Sequence, residues 1–276
     1  MTETAELPVD ALLALACEAG EAIMAVYHAG FDIEHKEDRS PVTEADLAAH
    51  RVLTAGLARL TPDIPVLSEE AASETDAATR AGWHRLWLVD PLDGTREFIN
   101  RREEFTVNLA LIEDGRPRFG IVYCPATAIA YWGGDDTGAW RSVAGGAPTA
   151  IRASDAAATP LRVLGSRSHR DAHMGAYLEQ LGDHELVSAG SSLKFCRLAE
   201  GAADLYPRFG PTMEWDTAAG QAVAEAAGAR VTRLDGSPLR YNKRDTLLNP
   251  FFLVYADTRR DWLSAIPASA REARAG

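Results

Sequence analysis

The segment Trp87-Leu88-Val89-Asp90-Pro91-Leu92-Asp93-Gly94-Thr95 places two carboxylates directly after a short apolar run. The run from Leu86 to Val89 predicts a buried strand, so Asp90 and Asp93 would lie at the carboxyl end of a rigid element. The proline between them fixes φ, and the glycine after them lets other groups approach the backbone closely. Carboxylate oxygens are the ligands that Mg²⁺ prefers, and the segment therefore predicts a magnesium-dependent phosphoryl site.

Thr95 starts a predicted helical turn that runs through Phe98. The N–H groups at the start of a helix have no partner within the helix and can receive a phosphate. A purely local interpretation remains open at this stage, in which Asp93 caps a turn and Asp90 ends a strand.

Three further acidic positions lie beside apolar segments. Glu69 follows a short predicted strand in Ser68-Glu69-Glu70, and Asp216 stands at the entrance of an Ala-rich helix in Glu214-Trp215-Asp216. Asp46 belongs to Thr43-Glu44-Ala45-Asp46, which has the form of a capping box. Local interpretations exist for each, as a solvated loop or a helix cap. Acids at several element ends together favour a shared metal site.

The overall charge restricts the functions that the chain can have. Its 276 residues carry a formal net charge of −12, with 46% hydrophobic and 25% charged residues, as in an ordinary globular protein. This charge argues against binding to a nucleic acid polymer, which requires a basic face. It should also repel an anionic substrate, so a phosphatase would need bound cations and local Lys or Arg side chains.

The cysteines and the N-terminus indicate a reducing compartment. Cys17, Cys124 and Cys196 are odd in number and far apart, so they predict small buried side chains and neither disulfides nor a CxxC metal site. The acidic N-terminus has no apolar segment after it, and no run approaches the roughly 20 residues of a membrane-spanning helix. We therefore expect a cytoplasmic protein, and peripheral association with the inner membrane is left open.

Periodicity predicts an alternation of helices and strands. The first half contains predicted helices at 7–27 and 43–60 and strands at 64–67, 86–89, 105–112 and 119–123, a hairpin at 128–141, and a surface loop at 71–82. The second half contains strands at 161–165, 205–206 and 251–255, and helices at 171–181, 193–200 and 216–227, the last ending at Gly228. The mixture predicts an α+β layered sandwich. An Ala, Gly and Pro-rich segment at 143–160 suggests lobes at 1–150 and 151–276.

Three motifs together resemble those of the inositol monophosphatase superfamily. They are the segment from Trp87 to Thr95, Ser68-Glu69-Glu70, and the run from Glu214 to Gly220, and they occur in the family order over most of the chain. The resemblance implies the layered α/β/α/β/α sandwich of the sugar phosphatases. It implies two or three Mg²⁺ ions, with ligands from Glu69, Asp90, the Leu92 carbonyl, Asp93 and Asp216.

Within the superfamily the chain is most similar to the bacterial 3′(2′),5′-bisphosphate nucleotidases. The similarity lies in Arg96-Glu97-Phe98-Ile99, in Ser191-Ser192-Leu193-Lys194-Phe195-Cys196, and in the run from Leu205 to Thr212. It implies removal of the 3′-phosphate of adenosine 3′,5′-bisphosphate by water, without a phosphoenzyme. Glu214 leaves an inositol phosphate substrate open, because an acid near this position contacts inositol hydroxyls in inositol phosphatases.

The hypothesis gives each site residue a role. Thr95, supported by Asp46, and Glu69 would orient and deprotonate the attacking water. The predicted substrate contacts are Glu69, Leu92, Asp93, Gly94, Thr95, Ser168, His169, Ser192, Lys194, Arg208 and Asp216, with Lys194 and Arg208 on the second phosphate. The alternatives are an inositol or sugar phosphatase of the same superfamily and a non-catalytic metal or nucleotide-binding regulator. A homodimer, common in the superfamily, is left open.

Overall fold

The computed structural model describes residues 7–29, 33–35, 41–165 and 172–272. The helices are α1 (Val9–Ala29), α2 (Glu44–Leu60), α3 (Ala77–Ala81), α4 (Thr95–Ile99), α5 (Ala172–Leu181), α6 (Leu193–Ala199), α7 (Glu214–Ala226) and α8 (Ala268–Glu272). Short 3₁₀ helices cover Glu69–Glu74 and Pro125–Thr127. All the helices predicted from the sequence are present, with bounds that differ by a few residues.

The strands form one small and two large sheets. The strands are β1 (Ile33–His35), β2 (Pro41–Thr43), β3 (Val66–Ser68), β4 (Arg85–Asp93), β5 (Thr106–Glu113), β6 (Arg116–Cys124), β7 (Ile129–Gly134), β8 (Gly138–Val143), β9 (Thr149–Ala150), β10 (Leu161–Gly165), β11 (His184–Ser188), β12 (Leu205–Arg208), β13 (Arg230–Arg233) and β14 (Phe252–Tyr255). β1 pairs with β2, β3 to β9 form a sheet in chain order, and the other sheet has the order β11-β10-β12-β14-β13. β11 and β13 had no counterpart in the sequence prediction.

Three apolar cores separate five layers. One core joins α1 and α2 to one face of the seven-stranded sheet, through side chains such as Leu12, Leu53 and Trp87. A second core lies between the two large sheets and contains α6 and α7, with Phe195 and Val223 among its members. A third packs the five-stranded sheet against α5 and the C-terminal segment. This is the predicted α/β/α/β/α sandwich, because each of the two large sheets packs against a neighbouring layer on both faces.

The segment 71–82 was predicted as a surface loop; it lies at the surface as predicted, but most of it is helical. It contains the end of a 3₁₀ helix and α3, whose N-cap Asp76 accepts a hydrogen bond from the Thr79 N–H at 2.7 Å. Arg80 is buried and donates to the Asn242 side chain and to the Arg244 carbonyl, both at 2.9 Å, and to the Asp245 carbonyl. The order of this segment therefore depends on acceptors more than 160 residues away.

Helix α7 shows both a corrected start and a confirmed end. It begins at Glu214, two residues before the predicted start at Asp216. At its end Gly228 has a φ of 96°, and its N–H donates to the Glu225 carbonyl at 3.0 Å. The Ala229 N–H donates to the Ala224 carbonyl at 2.9 Å, which completes a Schellman motif. Gly228 is thus the predicted C′ residue.

The structure also bears on the expectations for the cysteines, for membrane-spanning helices and for the division into lobes. Cys124 and Cys196 are buried as predicted, whereas Cys17 is only partly buried, and all three are free thiols. Within the described ranges, no helix combines the length and apolarity that crossing a bilayer requires. The division into lobes at 1–150 and 151–276 remains a prediction, and the central core takes side chains from both halves.

Candidate active site

Parallel strands bring Glu69 and Asp90 to the same edge of the seven-stranded sheet. β3 and β4 run parallel, with Ser68 opposite Val89. The next residues of the two chain segments, Glu69 and Asp90, are therefore neighbours. Asp90 is 1% exposed, and its Oδ1 accepts a hydrogen bond from the Leu92 N–H at 3.1 Å. The strand prediction ended too early, because β4 continues to Asp93.

A bulge in β4 turns Asp93 toward the second half of the chain. The pairing with β5 shifts between Asp90 and Asp93, which lie opposite Asn108 and Thr106. Asp93 Oδ2 accepts the backbone N–H of Ser192 at 2.6 Å and the Asn108 amide at 3.5 Å. The buried Ser192 hydroxyl in turn donates to Asn108 Oδ1 at 2.7 Å. The two halves of the chain therefore meet at this carboxylate.

Asp216 reaches the same place from the first turn of α7. Its Oδ2 accepts the Met213 N–H at 2.9 Å, which is one half of a capping-box arrangement. The interpretation of Asp216 as the N-cap is therefore wrong, because the N-cap is Met213 and Asp216 is the third helical residue of the capping box. This contact does not exclude a second role for Asp216. Glu214, two residues earlier, is fully buried, and its Oε2 accepts the Asn242 N–H at 2.6 Å. Glu214 does not line the cavity at Asp93 and Asp216.

Mutual repulsion shows how closely the acids are grouped. Burial raises the pKa of Asp90 well above its usual range, and the charges of Glu69, Asp93, Asp216 and Asp46 raise it further, in that order. Burial and the charge of Asp93 likewise raise the pKa of Asp216. Burial raises the pKa of Asp93 to about 6, although the charge of Lys194 opposes that rise. Such a cluster of carboxylates requires a positive counter-charge to be ionised together.

Lys194 and Arg208 supply part of that charge. Lys194 is 7% exposed, and its Nζ donates to the Ser191 carbonyl at 3.0 Å. Arg208 donates to the carbonyls of Gly210 and Pro211 at 3.2 and 2.7 Å, and its charge lowers the pKa of Asp216. Both cations line one cavity of about 150 Å³ with Asp93, Gly94 and Asp216. A larger cavity of about 640 Å³ lies elsewhere and contains none of the predicted site residues.

Both the backbone conformation and the packing at position 94 require a glycine. Gly94 has a φ of 90°, and a Cβ atom there would lie 2.1 Å from Ser191 Oγ. That hydroxyl donates to the carbonyls of Asp93 and Glu104 at 3.0 and 2.7 Å. The first hydrogen bond of α4 runs from the Phe98 N–H to the Gly94 carbonyl at 2.9 Å. The N–H groups before Phe98 therefore have no acceptor within the helix and point out of its N-terminal end.

The predicted relay from Asp46 to Thr95 stays a prediction. The Thr95 hydroxyl donates to the Leu92 carbonyl, at a long 3.4 Å. Asp46 is 3% exposed in the first turn of α2, and its charge acts on Asp90. Ser168 and His169 lie outside the described residues. The structure therefore brings together the predicted acids and cations, and it leaves these roles as hypotheses.

The donor set fits a hard cation. The acids offer carboxylate oxygens, and each of Asp90, Asp93 and Asp216 uses one oxygen for a backbone N–H. Throughout the residues that the model describes, no three His, Cys, Asp or Glu side chains converge tightly enough to form a ready-made metal cage. A loose, oxygen-only cluster suits Mg²⁺, which keeps several waters and takes few protein ligands.

Sequence reasoning missed the polar residues that support Asp93. Asn108 and Thr106 are buried within β5, between apolar neighbours. Thr106 Oγ1 lies 2.8 Å from Ser192 Oγ and so joins the same hydrogen-bond network. A buried polar side chain requires a partner, so an asparagine in an otherwise apolar strand was the available signal.

Comparisons with known proteins identify the class. The model of the inositol monophosphatase family matches residues 7–268, and the chain belongs to that family. It is 53% identical over 248 residues to the 3′(2′),5′-bisphosphate nucleotidase CysQ of Escherichia coli O157:H7, covering 89% of this chain and 98% of that protein. It is 40% identical over 252 residues to CysQ of Buchnera aphidicola, covering 90% and 93%.

Solved structures agree with this assignment. The crystal structure of CysQ from Bacteroides thetaiotaomicron, described as a bacterial member of the inositol monophosphatase family, is 42% identical. Its TM-score is 0.77, and the match covers 92% of this chain and 98% of that one. An inositol monophosphatase from Zymomonas mobilis matches at 27% identity with a TM-score of 0.74, covering 98% and 100%.

Proposed function

We propose that this protein is a Mg²⁺-dependent 3′(2′),5′-bisphosphate nucleotidase that hydrolyses the 3′-phosphate of adenosine 3′,5′-bisphosphate to AMP and phosphate. The observation that carries the proposal is the arrangement of charges in one cavity. Asp93 and Asp216 line this cavity together with Lys194 and Arg208. The charge of Lys194 lowers the pKa of Asp93, and the charge of Arg208 lowers that of Asp216. The identity to nucleotidases over nearly their full length supports the same substrate class.

The acids have a cation-binding role in this proposal. Glu69, Asp90, Asp93, Asp216 and the Leu92 carbonyl would hold two or three Mg²⁺ ions. Bound Mg²⁺ would supply the charge that neutralises these carboxylates and would lower the pKa of the attacking water. The buried N–H donors to Asp90, Asp93 and Asp216 fix the orientation of each carboxylate before any ligand binds.

Neighbouring groups handle the water and the reacting phosphate. In this proposal Glu69 and Thr95, with Asp46 supporting Thr95, would orient the water and accept its proton. The N–H groups of Gly94 and Thr95 would donate to the phosphoryl oxygens as negative charge moves in the reaction. Glycine is required at position 94, because a Cβ atom there would lie 2.1 Å from Ser191 Oγ.

Lys194 and Arg208 would bind the second phosphate, the one that remains on the product. Ser192 positions Asp93 through its backbone N–H, and Ser168 and His169 complete the proposed nucleotide contacts.

Glu214 does not support an inositol substrate, because its carboxylate is buried and accepts a hydrogen bond from the Asn242 N–H. Homodimer formation, location in the cytoplasm and peripheral membrane association remain predictions.

Asp93→Asn tests the metal-site assignment. The substitution keeps an oxygen for the Ser192 N–H and removes the charge, so we expect phosphate release to fall by orders of magnitude with folding retained. Asp114→Asn is the matched control, since Asp114 is exposed in the turn between β5 and β6. Release should be measured on adenosine 3′,5′-bisphosphate and inositol 1-phosphate. Near-normal turnover by Asp93→Asn would refute the assignment, and faster release from inositol 1-phosphate by the unmodified protein would refute the substrate.

Lys194→Ala separates the substrate from the chemistry. A charge-assisted hydrogen bond to a phosphate contributes about 1.5–3 kcal/mol, so kcat/KM for the bisphosphate should fall about 10- to 100-fold. The effect on adenosine 3′-monophosphate, which lacks the second phosphate, should be much smaller. Equal losses on the two substrates would show that Lys194 does not recognise that phosphate.

A further inference from the structure

A strongly basic cavity lies apart from the active site. It encloses about 640 Å³, within the roughly 300–1,000 Å³ that is typical of small-molecule sites. Its walls carry the cationic side chains Arg233, Arg240, Lys243, Arg244 and Arg271, and one acid, Asp235. No described residue lines both this cavity and the one at Asp93.

The acid in the wall does not balance the cations. Asp235 Oδ1 already accepts the N–H and the hydroxyl of Ser237, at 2.9 and 2.5 Å. Its other oxygen lies 3.8 Å from Arg233, in an exposed pair that contributes little. In the described ranges neither Arg240 nor Lys243 forms an ion pair, although their charges act on the more distant Glu225 and Asp114.

Arg244 also has a guanidinium nitrogen that makes no hydrogen bond within the described residues. Its Nη2 lies 3.7 Å from Glu214 Oε1, and both atoms are buried without a hydrogen-bond partner in the described part of the chain. The side chain is about one third exposed and lines the cavity. Phe251 provides an apolar wall next to these donors.

Collecting like charges in one cavity costs free energy unless an opposite charge is present. In a chain with a net charge of −12, such a basic cavity is the place where a small anion would be attracted. We propose that this cavity is a second ligand site, which binds a multiply charged phosphate-bearing anion. This proposal is independent of the function proposed for the active site.

The cavity is connected to the start of α7. The Asn242 N–H donates to Glu214, the Glu214 N–H donates to the Leu247 carbonyl at 2.9 Å, and Arg80 holds the carbonyl of Arg244. A ligand that contacts Lys243 and Arg244 would therefore lie against the segment on which the first turn of α7 rests.

Calorimetric titration with pyrophosphate in the presence of EDTA tests the proposal. EDTA removes the divalent cations that the proposed active site requires to hold a phosphate, and variants of the basic cavity then assign the remaining binding to it. We expect one pyrophosphate per chain. Arg240→Gln/Lys243→Gln should weaken binding at least about fivefold, from two charge contacts of about 0.5 kcal/mol each. Arg240→Lys/Lys243→Arg should retain binding, which separates charge from folding.

The matched control is Arg51→Gln/Arg59→Gln, which removes two exposed cations from α2. Its affinity for pyrophosphate should equal that of the unmodified protein. Titrations with AMP and inorganic phosphate distinguish the sources of the anion: tighter binding of AMP indicates a nucleotide, and equal binding indicates phosphate alone. Absence of binding with EDTA, or equal weakening in the two Gln double variants, would overturn the proposal.

Discussion

Gly94→Ala probes a close contact between Gly94 and Ser191. Gly94 has a φ of 90°, and its new Cβ would lie 2.1 Å from Ser191 Oγ, against 3.3 Å from Glu97 and 3.4 Å from the Glu104 carbonyl. The substitution therefore adds backbone strain and one severe collision. Because Ser191 Oγ donates to the Asp93 carbonyl, the displacement would be transmitted to a predicted metal ligand.

The magnitude follows from those two contributions. Left-handed backbone costs an alanine about 1–2 kcal/mol, and overpacking costs about 1–3 kcal/mol. We expect Gly94→Ala to lower the free energy of unfolding by about 2–5 kcal/mol. Gly138→Ala is the matched control, because Gly138 has a φ of 69° and its Cβ would meet nothing closer than 3.7 Å. It should cost only the strain, about 1 kcal/mol.

Ser191→Ala isolates the collision. By itself it removes the hydrogen bonds to Asp93 and Glu104, at a cost of about 1–2 kcal/mol. In the Gly94→Ala/Ser191→Ala variant the colliding oxygen is gone, so the loss should be about 1–2 kcal/mol smaller than the sum of the single losses. Urea unfolding followed by tryptophan fluorescence measures all four variants. Losses that add within about 0.5 kcal/mol would refute the collision.

Two other predictions concern charges outside the active site. Burial raises the pKa of Glu225 to about 7, so the folded state keeps a proton that the unfolded state loses above about pH 4.5, and stability falls as pH rises between those values. Glu225→Gln should remove that dependence and exceed the unmodified protein by about 1–2 kcal/mol at pH 8, since the side chain is partly exposed. Urea unfolding at pH 5 and 8 measures this, and an unchanged gap between the two pH values contradicts it. Arg80→Gln should cost about 2–4 kcal/mol by leaving buried carbonyls unsatisfied, whereas the exposed Arg51→Gln should stay within about 0.5 kcal/mol; equal thermal stability of the two variants would contradict this account.

Local sequence patterns correctly predicted the elements that are stabilised by neighbouring residues in the chain. The end of α7 at Gly228 was correct, because a left-handed residue at C′ satisfies the last carbonyls of its own helix. The helices within 71–82 were missed for the opposite reason, since Arg80 is ordered by acceptors in residues 242–245. β11 was missed because its Leu186 is largely exposed, and the strand has no alternating apolar pattern.

The sequence by itself determined the class of site that was predicted. Asp90 and Asp93 follow an apolar strand, and the motifs containing Glu69 and Asp216 stand in the family order, so the residue types and their spacing predicted a carboxylate cluster. These features are local, because strand ends and helix starts are encoded by a few neighbouring residues.

Only the tertiary structure decided how these acids differ. Glu214 and Asp216 lie on the same turn, yet Glu214 is buried against Asn242, whereas Asp216 joins Asp93 in the cavity. Their surroundings come from segments far away in the chain, and sequence spacing carries no record of which segment packs against which side of a helix. For the same reason, the joining of Arg233, Lys243 and Arg271 in one basic cavity became visible only in the folded protein.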